Sequence, residues 1–230
     1  MEDISDFDKG CNFFEKDYSQ KELYNFLKSG SDMEKQLACL RIEDVKSPEE
    51  ADILISNLTC VDGKIREAVS YKLKVFMQNT EKAELFNRTN YYDTFLDAVI
   101  DINGNICRNV ISAISNLKND KNFAQYFKSE IFKRSEDVLK KIENFTYKDK
   151  KYKTNKELFK LYWYLETLAI FDFEETAELL GLLKKCSKTE EYTIREKAAV
   201  LISKLPQNER KKLSSINNDK NPYVSMKLVK

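Results

Sequence analysis

The strongest constraint on this chain is an apolar stripe that returns twice. Ile65, Val69, Leu73 and Phe76 lie on one face of an amphipathic helix. A shift of 41 residues lays them on Ile106, Val110, Ile114 and Leu117, and a shift of 129 lays them on Ile194, Ala198, Ile202 and Leu205. The stretch Ser47–Met77 shows the whole unit. Ser47, Pro48 and Glu50 read as a capping box with proline at the first helical position, and Ile53, Leu54 and Leu58 continue that helix. Val61-Asp62-Gly63 then breaks the chain, with Gly63 free to take a left-handed conformation. Neither helix buries its stripe alone, so helix pairs must stack on one another.

Weaker copies fill the remaining chain. Ser19 caps a helix that Gly30 closes, and Ser31 starts its partner, whose stripe is Met33, Leu37, Leu40 and Val45. A third pair spans 90–117. A longer fourth pair begins at 121 and reaches Leu168, its second helix expected to open on a Thr154/Glu157 capping box. A fifth pair runs from Asp172 to Leu205, and Asn221-Pro222 opens a terminal half-repeat. The pattern predicts a partly ordered lead-in over residues 1–18 and a single repeat domain over 19–230.

Composition narrows the chemistry. Three prolines and five glycines favour helices over strands and turns. No apolar run approaches the roughly 20 residues that span a bilayer, and the acidic start MEDISDFDKG is unlike a secretory signal. A soluble, cytoplasmic chain without a membrane partner is expected. With no histidine, Ser-His, Cys-His and histidine–metal sites are excluded. The five cysteines are never closer than 21 positions, which argues against zinc sites and a disulfide framework. They read as small buried hydrophobes, with Cys60 and Cys186 the candidates for a reactive thiol. No phosphate-binding glycine loop or metal cluster is present in the pattern, so neither metal, cofactor nor catalytic residue is expected. Charge is uneven: residues 1–100 hold 13 Lys and Arg against 20 Asp and Glu, residues 101–230 hold 26 against 18. A basic C-terminal half leaves nucleic acid open as a partner.

The segments DGKIREAVSYKL, EYTIREKAAVLISKL and NPYVSMKL resemble the second helix of HEAT repeats, with Asp62, Ile65, Arg66 and Ala68 in one copy and Ile194, Arg195, Ala198 and Ala199 in another. The resemblance implies an all-α fold, a right-handed α–α superhelix (solenoid) of about five HEAT-like helix pairs. It carries no catalytic residue. The repeat arginines Arg66, Arg108 and Arg195 are expected to be structural, Arg66 pairing with Asp62 or with a neighbouring repeat. The third copy departs, since Cys107 takes the arginine register and Arg108 follows it; the last copy has Ser225 there.

Two stretches are candidate binding sites. Tyr147, Lys148, Lys150, Lys151, Tyr152 and Lys153 alternate cations with aromatic faces in a predicted loop, a composition suited to nucleic acid. On the next helix, Tyr162 reads as core while Trp163 and Tyr164 point elsewhere and line the concave face. Stacked pairs of this kind grip a protein or peptide on that face, so a non-enzymatic scaffold is the leading expectation. The alternatives are a DNA-binding or repair protein resembling the HEAT-like alkylpurine DNA glycosylases, whose motif has no residue-by-residue match here, and a subunit like the bilin lyases of the E/F type, which rests on fold analogy.

Overall fold

The computed structural model describes residues 6–144, 150–173, 177–213, 216 and 219–228, and among these there are helices and turns but no strand. Cα packing divides the chain into two compact units, Met1–Phe123 and Ala124–Lys230.

The first unit contains α1 (Asp6–Glu15), α2 (Gln20–Ser29), α3 (Asp32–Arg41), α4 (Pro48–Leu58), α5 (Gly63–Phe76), α6 (Thr80–Phe86), α7 (Thr89–Ala98) and α8 (Gly104–Ile114). Helix pairs α2/α3, α4/α5 and α7/α8 stack as repeats. The second helices pack side by side, α3 on α5 and α5 on α8, while α2 packs on α4 and α4 on α7. This is an all-α helical-repeat arrangement of the solenoid type. The stripes read from the sequence are its core: Val69, Leu73, Ile106, Val110 and Ile114 have no exposed surface. Each such side chain contributes about 1.5–3 kcal/mol of burial.

Local chemistry sets where these helices begin. Ser19 with Glu22 and Ser31 with Glu34 form complete capping boxes. The Ser47 box is half-made. Its hydroxyl accepts from the Glu50 amide at 3.3 Å, but the Glu50 carboxylate accepts from the Lys46 amide at 2.6 Å instead of from Ser47. Gly63 is also corrected: it is the first residue of α5, no described glycine has positive φ, and the break comes from Asp62 capping the amides of Lys64 and Ile65 at 2.8 and 2.9 Å. Leu40, expected in the core, is 48% exposed. Part of the expected lead-in is the helix α1. It packs on α3, where Arg41 donates to the carbonyls of Phe13 and Lys16 at 2.8 and 2.7 Å.

The division falls inside α9 (Lys121–Asn144). The second unit continues with α10 (Lys150–Leu168), α11 (Ala177–Cys186), α12 (Tyr192–Lys204), the short α13 (Gln207–Arg210) and α14 (Pro222–Leu228). Here α10 packs on α12, α11 on α12 and α12 on α14. Ile194, Ala198 and Ile202 are fully buried, as their stripe predicts. Helix α10 begins earlier than the sequence suggests, so Thr154 lies inside it and caps nothing at its start. Glu157 is instead buried and bonded to Lys160 at 2.8 Å.

Candidate functional site

Arg66 and Arg195 are placed by the same local device in the two units. The Arg66 guanidinium donates to both oxygens of Asp101, at 2.6 and 3.4 Å, and to the carbonyls of Cys60 and Val61 at 2.9 and 2.8 Å. Arg195 repeats this on Asp219, at 2.6 and 3.4 Å, and on the carbonyls of Thr189 and Glu190 at 2.9 and 2.8 Å. Each aspartate also accepts the amide two residues on, that of Asn103 at 2.8 Å or Asn221 at 2.9 Å, and each asparagine side chain caps the following helix. The planar five-donor fork of arginine suits this role, tying a preceding loop to the loop of the next repeat. Arg66 pairs with the neighbouring repeat and not with Asp62. The recurring Asp-x-Asn before Gly104 and Pro222 is the sequence signal that marks the acceptor. The Asp219 carboxyl is held below the usual carboxylate range, chiefly by its hydrogen bond from Arg195. Arg108 differs: it is exposed and donates to Asn105 at 2.7 Å.

The aromatic helix α10 reverses its expected faces. Trp163 and Tyr164 are 5% and 3% exposed, so neither offers a surface to a ligand. Residues 161, 163, 164, 165, 167 and 168 are all buried, which covers most of the helix girth, and a helix apolar nearly all round is a buried one. Trp163 packs against the rings of Phe159 and Tyr162 at 6.1 and 5.2 Å. Tyr162, expected in the core, is half-buried and carries the Lys197 ammonium 4.7 Å above its ring. Lys197 pairs in turn with Glu166 at 2.5 Å. Of the lysine-rich candidates, Tyr147 and Lys148 lie outside the described residues. Lys150, Lys151, Tyr152 and Lys153 stand in the first turns of α10, not in a loop.

Four of the five cysteines are poor nucleophiles, and the fifth, Cys11, is exposed on α1. Burial pushes the thiols of Cys39, Cys107 and Cys186 up to about 12, and it also raises that of Cys60. Among the described residues no cluster of Cys, Asp and Glu has the placement to hold a metal ion.

What the structure does bring together was not singled out from the sequence. On the shared face of α3, α5 and α8 a groove of about 470 Å³ is lined by residues of all three helices. Tyr71 is 52% exposed in it, beside Leu40, and Val75 continues the apolar strip one turn along α5 at 42%. Side-chain amides border the strip: Gln36 from α3, Asn105 and Asn109 from α8. The Asn109 amide donates to Ser70 Oγ at 3.2 Å, which holds the side chain. Glu67 is held by the amides of Asn103 and Asn105 at 3.2 and 3.0 Å. Lys64, Lys74 and Arg108 supply positive charge along the lining. The sequence carried a signal for this face. Lys64, Glu67, Tyr71 and Val75 recur at helical spacing beside the core stripe, and Tyr71 and Val75 are apolar where a solvated edge would be polar. Two of the three bordering amides, those of Asn105 and Asn109, are held in place by hydrogen bonds.

Neither a family model nor a curated protein sequence matches the chain. Among solved structures it is similar to a designed armadillo repeat protein, with a TM-score of 0.47 and 12% identity over 91% of this chain and 97% of that one. No helix of the described residues is long and apolar enough to cross a membrane.

Proposed function

We propose that this chain is a non-enzymatic HEAT-like interaction module that binds an extended segment of another protein on the α3–α5–α8 face. The observation that carries the reading is the exposed Tyr71–Leu40 strip set among the side-chain amides of Gln36, Asn105 and Asn109. Large half-exposed aromatic and aliphatic groups in a recess are the usual anchors of recognition, and neighbouring side-chain amides can pair with the backbone of an extended chain. The HEAT-like assignment rests on the Asp-Gly-x-Ile-Arg register and on the arginine link between consecutive repeats.

A nucleic-acid reading finds no comparable support. Four lysines of the second unit already face carboxylates: Lys197 pairs with Glu166, Lys185 with Glu136, Lys227 with Glu196 and Lys212 with Glu209. The test is display selection of unstructured peptides on the whole chain, followed by binding to Tyr71→Ala and Leu40→Asp variants. Enriched peptides are expected to lose about tenfold or more in affinity, the loss of one anchor of about 1.4 kcal/mol or more. Enrichment that is indifferent to both substitutions would overturn the assignment of this face.

A further inference from the structure

We infer that the segment taken by the α3–α5–α8 groove is acidic and carries a large apolar residue. The inference rests on the interaction-module reading and adds the partner's chemistry to it. Charge makes the first argument. Residues 1–123 hold 16 Lys and Arg against 22 Asp and Glu, so a face sampled at random from this unit would be acidic. The groove is the reverse: Lys64, Lys74 and Arg108 line it against one carboxylate, Glu67. That carboxylate already accepts from the side-chain amides of Asn103 and Asn105. Lys64 and Lys74 pair with no carboxylate among the described residues, so their charge is available to an incoming acid.

The apolar strip makes the second argument. Tyr71 and Leu40 line the groove together with these cations, and a purely polyanionic chain would leave both unmet. An apolar residue flanked by acids satisfies the two features together. Neighbouring helix axes lie roughly 8–10 Å apart, so three helices span about 20 Å, or six residues of extended chain. A single-stranded nucleic acid fits less well. Among the lining residues only Tyr71 offers a stacking face.

The test is fluorescence anisotropy on the whole chain with three labelled probes: a short disordered peptide with acidic residues on both sides of a leucine, its lysine counterpart, and oligothymidine. The acidic peptide is expected to bind and to weaken as salt rises. Its affinity is expected to fall about tenfold for the double variant Lys64→Glu/Lys74→Glu, as two attractive charges become repulsive. The neutral variant Lys64→Gln/Lys74→Gln should lie between, and Tyr71→Ala should weaken binding without changing the salt slope. Thermal melts of the variants check that folding is intact, which is expected because these side chains are on the helix surface. Binding of the lysine peptide in preference, still sensitive to Tyr71→Ala, would overturn the acidic partner and leave the groove standing. Preference for oligothymidine would overturn both in favour of nucleic acid. Failure of every probe, or binding indifferent to Tyr71→Ala, would also overturn both.

Discussion

Asp219 shows what one side chain contributes when its neighbours are arranged for it. Its side chain is 8% exposed and that of Arg195 19%, so the pair is shielded well enough to count. Because the folded carboxyl titrates below its ordinary value, its stabilisation is complete above the unfolded pKa of about 3.9 and is lost as pH falls through the folded value. Urea unfolding should therefore show a loss of stability of the second unit below about pH 4. Asp219→Asn should cost roughly 2 kcal/mol near neutral pH, the worth of a hydrogen bond to a charged partner, and should flatten that acid limb. An unchanged acid limb in the variant would assign the loss to other carboxylates. With no histidine in the chain, no imidazole adds a slope near neutrality.

Two glycines at helix ends, alike in the sequence, separate at the scale of the element. A Cβ on Gly63 would meet only Arg66 Nη2, at 3.8 Å, while one on Gly30 would lie 2.7 Å from the carbonyl oxygen of Phe26. Gly63→Ala should thus stabilise by about 0.4–1 kcal/mol through the unfolded chain, and Gly30→Ala should destabilise. Thermal melts that order the two variants the other way would refute this account of both helix ends. The helices themselves were legible because a period of 3.6 residues writes the core stripe directly, as Val69, Val110 and Ala198 show. Periodicity failed on α10, where apolar residues occupy nearly the full girth and no stripe distinguishes Tyr162 from Trp163. It failed again on the arginine partners, which lie 35 and 24 residues downstream and beyond any local rule. The groove was missed because three helices build it, each supplying a few residues that are unremarkable alone.

Within each unit, stacked repeats touch their neighbours, so stability there is close to a sum of local terms. Arg66 and Arg195 belong to different units and share no partner. Arg66→Ala and Arg195→Ala are each expected to cost roughly 2–3 kcal/mol, by loss of a charged pair and two capped carbonyls. Native-state hydrogen exchange should report the first loss on the amides of α8 and the second on those of α14. The double variant should equal the sum within about 0.5 kcal/mol. A larger departure would show energetic coupling across the division at Phe123.

The arginine link also bears on how such a chain tolerates changes of length. Thirty-five residues separate Arg66 from Asp101 and 24 separate Arg195 from Asp219, yet the two pairs share the same 2.6 and 3.4 Å geometry. The stretch between the two ends is therefore free in length, whereas the joint is not. Insertions and deletions belong in that stretch, and distant kin of this chain are better sought with a variable-gap pattern of arginine followed by Asp-x-Asn than with a fixed period.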